Sequence, residues 1–146
     1  MKKNTVHVSV LNKDYEVQGR TIDAYCALEY QKAQAQLQAD TMRQSLKKSE
    51  SVADDAENAV SVYESGMKMI KGQLDFIQNM LDLSDADAKK LWNLGSIERQ
   101  VLVQEILGYA EGKSKEQVEA DIQDLKSNLE EQAEASNESG NKKATK

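Results

Sequence analysis

The sequence predicts a mainly α protein: an N-terminal β-hairpin, a long central helix, a C-terminal cluster of short helices and a disordered tail. Three observations carry this. The 146 residues include no proline, so nothing along the chain deletes a backbone donor or forces a kink. Val60, Tyr63, Met67, Ile70, Leu74, Ile77 and Leu81 recur at alternating spacings of three and four, a seven-residue repeat that lays one apolar seam along a helix. Val6, Val8 and Val10 alternate with polar residues, which is the period of a strand. The length fits one domain, placed at 1–133 with its hairpin at 5–18, followed by a polar tail at 134–146.

Each element has its own local reason. Asn12-Lys13-Asp14 supplies a turn, and Tyr15-Glu16-Val17 resumes the alternation until Gly19 ends it. A two-stranded hairpin is marginal alone, so its valine face is expected to pack on the helices. Thr21 is the expected N-cap of the first helix, with Asp23 in the first turn. Ile22, Tyr25, Cys26, Ala33 and Leu37 mark its apolar face. The stretch Gln31 to Ala39 has strong helix formers and little apolar content, so the second half is expected to be exposed. Ser49-Glu50-Ser51 is the expected break. The central helix then runs from about Ser51 to Leu81, with Val52 and Ala56 extending the seam and Gly66 and Gly72 falling off it.

Short elements follow. Ser84 caps a helix carrying Ala88, Leu91 and Trp92, Ser96 caps another carrying Ile97, Val101, Leu102, Ile106 and Tyr109, and Gly108 and Gly112 suit its C-terminal end. Ser114 and Gln117 match the capping box of a last helix, whose Val118, Ile122, Leu125 and Leu129 again recur at helical spacing. From about Glu134 the chain is Ala, Ser, Asn, Glu, Gly, Lys and Thr, too polar to bury.

Composition narrows the function. The chain is 39% hydrophobic and 5% aromatic, so the core is small, with Phe76 and Trp92 as its bulky members. That argues against a compact enzyme with a deep pocket. One cysteine builds neither a disulfide framework nor a cysteine zinc site, and suits a reducing interior. The start, Met1 to Val6, lacks the apolar stretch of a signal peptide, and no apolar run approaches a membrane span. A net charge of −6 argues against nucleic acid as a partner. Residues 51–83 are net −4, 114–135 net −5 and 136–146 net +2, a balance that favours basic partners.

No catalytic, cofactor or metal site emerges. His7, the only histidine, alternates with the valines and so faces solvent. Cys26 reads as a small core residue. Asp54 and Asp55 point apart on a helix, and with Glu57, Asp85 and Asp87 they lack the ligand spacing of an EF-hand. The glycines form no phosphate loop. The seam is the strong signal. It serves either as an internal core stripe or as a binding face for another helix, with Met42, Met67, Met69 and Met80 as adaptable surface. The candidate partner-binding residues are therefore Val60, Tyr63, Met67, Ile70, Leu74, Ile77, Leu81, Val118, Ile122, Leu125 and Leu129.

The order hairpin, variable helical middle, the run from Phe76-Ile77-Gln78-Asn79-Met80-Leu81 through Ser84 to Leu91, and the helix from Ile97 to Tyr109 resembles the tail assembly chaperones of long-tailed phages and prophages of Gram-positive bacteria. The resemblance spans most of residues 5–110 and is one of pattern and architecture. It implies a non-enzymatic protein of the host cytoplasm. Such a protein coats the tape-measure protein, keeps its apolar helices soluble, recruits tail-tube subunits and is absent from the finished virion. Many such proteins are made in two lengths through a programmed frameshift near the end of the gene; Lys142-Lys143 is the place where consecutive lysine codons could form a slippery run, the alternative being a lysine-rich tail that aids solubility. The alternative from the seam itself is a self-associating coiled-coil structural or scaffolding protein, with an adaptor that binds another enzyme third.

Overall fold

The structure, a computed structural model, describes residues 4–47 and 50–144, with side chains described as far as Ala135. Strands β1 (Asn4–Val8) and β2 (Lys13–Val17) form an antiparallel pair, Asn4 opposite Val17 and Val8 opposite Lys13. The turn spans Ser9 to Asn12, so Lys13 and Asp14, expected in the turn, belong to β2. The reason is Asn12, whose φ of 49° is the left-handed conformation that asparagine tolerates better than its neighbours. Val6, Val8 and Val17 are buried and Val10 packs at the edge of the core. His7 is exposed, its Nδ1 2.7 Å from Oδ1 of Asp14 across the pair.

Helices α1 (Thr21–Ser45) and α2 (Val52–Leu81) form an antiparallel hairpin: Tyr30 meets Phe76 near one end and Gln44 meets Asn58 near the other. The N-cap of α1 is Arg20 rather than Thr21. The Asp23 carboxylate accepts from the Arg20 backbone N–H at 3.2 Å and from its Nε at 2.9 Å, so the acid of the first turn fixes the start. The buried and half-buried row of α1 also differs from the expected one. Asp23, Ala27, Tyr30, Gln34, Leu37, Thr41 and Gln44 turn inward, whereas Ile22, Tyr25 and Ala33 are exposed and Cys26 is only half-buried. With few apolar residues on any face, contact with α2 sets the phase. Ser51 caps α2, its Oγ accepting from the Asp54 N–H at 3.1 Å; Ser49, part of the expected break, lies outside the described residues.

Asp82, at φ 52°, ends α2 and turns the chain into α3 (Asp85–Lys90), where Ser84 Oγ accepts from the Asp87 N–H at 3.2 Å. A 3-10 turn, Leu91–Asn93, buries Leu91 and leaves Trp92 exposed. Trp92 was expected in the core; the tight turn points consecutive side chains in different directions, and Leu91 takes the inward place. Helix α4 (Ser96–Ala110) has Gly95 at its N-cap, not Ser96. Every residue of α4 from Ile106 to Ala110 is buried, and Leu102 and Val103 precede them. Helix α5 (Lys115–Ala144) starts with the reciprocal cap read from sequence: Ser114 N–H donates to Gln117 Oε1 at 3.0 Å and Gln117 N–H to Ser114 Oγ at 3.2 Å. Gly112, φ +85°, makes the α4–α5 turn. Gly108 is not a terminal cap but a close-packing point, since a Cβ there would lie 2.6 Å from Val118 Cγ2.

The core lies at one end of the molecule, between the hairpin, the lower parts of α1 and α2, α4 and the first turns of α5. Ile77, Leu91, Ile106, Val6, Val8 and Val118 are its fully buried members. Helix α5 is described as far as Ala144. From Glu130 to Ala135 every side chain is exposed, so those turns of α5 rest on no core.

Candidate functional site

The α2 seam is divided in two. Its lower part, Leu74, Ile77 and Leu81, is buried in the core. Its upper part is open: Val60 is 54% exposed, Tyr63 74% and Met67 69%, with Val52 at 85% beyond them. Ile70 is half-buried at the boundary. At 100° per residue, the half-buried upper row of α2 that faces α1, Asp54, Asn58, Ser61 and Ser65, lies on the opposite side of the helix from this open row. The arm formed by the upper halves of α1 and α2 is therefore inverted. Polar groups meet inside it, as in the 2.7 Å bond from Gln44 Nε2 to Asn58 Oδ1, while the apolar row faces away from α1.

The point at which the seam opens has a structural cause. Arg99, in the first turn of α4, donates through Nε to Gln73 Oε1 at 2.7 Å, and the Tyr30 hydroxyl is hydrogen-bonded to Gln73 as well. This junction is where α4 meets α2. Beyond it, toward Val52, no further element among the described residues lies over the seam. Burial at the same junction pushes the Tyr30 hydroxyl up to about 12, against the Gln73 hydrogen bond and the charge of Arg99.

Trp92 stands beside the opening. With Met67, Ile70, Glu64, Lys68 and Lys71 it lines a cleft of about 380 Å³ with an almost wholly apolar wall. Neither Trp92 as a surface residue nor the lysines were singled out in the sequence. Lys71 was legible: Glu57, Glu64 and Lys71 recur at seven-residue spacing beside the seam, the flanking position that selects partners in helix pairs. Trp92 carried no such signal.

The remaining predicted residues are engaged within the chain. Val118 and Ile122 are buried where α5 packs on α4, and Leu125 and Leu129 are half-buried further along the same face. They serve the fold, because α4 is apolar on all sides at its end and needs a cover there. Cys26 lines an open groove between α1 and α2 with Arg20, Glu29 and Asp75. Among the described residues no group of three or more His, Cys, Asp or Glu is placed to hold a metal ion, and no helix is long and apolar enough to cross a membrane. Comparison with family models, curated proteins and solved structures finds no match for this chain.

Proposed function

We propose that this protein is a tail assembly chaperone of the long-tailed phage type, binding apolar helices of a tape-measure protein in the host cytoplasm without catalysing a reaction. The observation that carries this is the open upper half of the α2 seam, a row of large apolar side chains directed away from the protein's own core. Continuous exposed apolar rows are uncommon on soluble chains unless a partner covers them. A helix laid along the row would place its apolar face on Val60, Tyr63 and Met67 and one bulky side chain in the Trp92 cleft, the helix-in-groove mode. Recruitment of tail-tube subunits would then fall to other surfaces.

Co-expression with a candidate tape-measure protein tests the proposal. The partner is expected to become soluble and to co-purify with this chain. Tyr63→Asp and Met67→Asp, both at exposed positions, should abolish co-purification and leave helix content unchanged. Intact co-purification with folded double variants would overturn the reading.

A further inference from the structure

The open row carries its own pattern of charge. Beside its N-terminal end stand Asp55 and Glu57, beside its middle Glu64, and beside its core end Lys68 and Lys71. Among the described residues, Asp55, Glu57, Glu64, Lys68 and Lys71 form no salt bridge within the chain. The row from Val52 to Ile70 is therefore an apolar strip about 27 Å long, acidic at one end and basic at the other, with both sets of charge unspent.

Such a strip is complementary to itself when reversed. We infer that two copies of this chain pair through the open α2 seams, antiparallel about a two-fold axis near Tyr63. The reversed alignment lays the lysine end of each helix against the acidic end of the other, twice over, as a two-fold interface requires. A parallel alignment in register would set Asp55, Glu57 and Glu64 level with their own copies and Lys68 and Lys71 level with theirs, like charge against like. Met67 and Ile70 of one copy then meet the Val52 to Val60 stretch of the other, and the Trp92 cleft receives the end of the neighbouring helix. The pairing goes beyond the chaperone reading. It covers the apolar row while no client is bound, so client and second copy compete for one surface.

Light scattering on the purified full chain reads the pairing directly. The native chain is expected at twice its monomer mass, shifting toward monomer as salt screens the charges. Lys68→Glu with Lys71→Glu makes the strip wholly acidic; Asp55→Lys with Glu57→Lys and Glu64→Lys makes it wholly basic. Each variant alone should run at half the native mass with unchanged helix content. An equimolar mixture of the two should regain the doubled mass, because each now complements only the other. A native monomer at all concentrations, a trimer or larger species, doubled mass in either variant alone, or a mixture that stays monomeric would each overturn the inference. None of these readings involves a tape-measure protein, so the pairing and the chaperone proposal fail separately.

Discussion

The rings of Tyr30 and Phe76 stack with centroids 4.3 Å apart and planes 19° from parallel. This pair marks the level at which the α1–α2 hairpin changes character. Below it the helices share the core; above it their apposed faces are mostly polar, with Gln34, Thr41, Gln44, Asn58, Ser61 and Ser65. Phe76→Ala removes the stack and opens a cavity beside Tyr30 between α1 and α2. A loss of about 3–5 kcal/mol is expected, read as a lower urea midpoint. A loss under about 1 kcal/mol would mean that the stack does not anchor the hairpin.

The close approach at Gly108 gives a second expectation. A methyl group there meets Val118 Cγ2 at 2.6 Å, so Gly108→Ala should destabilise by about 1–3 kcal/mol through overpacking. Adding Val118→Ala removes the clash, and the double variant should be less destabilised than the sum of the two singles. Simple additivity in thermal unfolding would place the strain elsewhere.

Glu105 lies part-buried between α4 and α5, and burial raises its carboxyl above the usual value, partly offset by Lys126. A raised folded value means that the unfolded chain gives up its proton at lower pH. The stability linked to this group is thus complete below about pH 4.5 and is lost as pH rises through the folded value. Glu105→Gln should therefore raise stability at pH 7 and change it little near pH 4. The comparison of denaturant midpoints at the two pH values decides the matter.

Ser114 and Gln117 exchange their two hydrogen bonds at the start of α5. Ser114→Ala should cost about 1 kcal/mol and speed hydrogen exchange in the first turns of α5 more than in α2. Equal acceleration in both helices would show that the cap acts on the whole fold.

Trp92, the single tryptophan, is 61% exposed beside Met67 and Ile70. Its emission should move to shorter wavelength when the seam is covered, on adding an apolar helical partner or on raising protein concentration. Met67→Asp should remove that response. An emission maximum independent of both would mean that the cleft stays empty.

Much of the fold was legible because its signals are local. The valine alternation, the Ser114 box and the three-four spacing on α2 each follow from a few neighbouring residues. The phase of α1 was not legible, since Ile22 and Tyr25 look like core until Ala27 and Tyr30 are seen against α2. The division of the seam was not legible either. Val60 and Leu74 occupy equivalent repeat positions, and only the place where Arg99 reaches Gln73 separates open from covered. Trp92 misled for a related reason, as size alone favours burial and the 3-10 turn decides otherwise.

The inverted interior of the arm bears on how its length is set. Among the described residues no large apolar side chain interlocks α1 with α2 above Gln34 apart from Leu37, and the apposed faces of both helices follow a seven-residue repeat. Removing or adding seven residues in each helix would leave the base, the facing rows and the outer strip in phase. The arm is thus a gauge of adjustable reach, whose span can be lengthened or trimmed in whole steps while the domain that holds it stays the same.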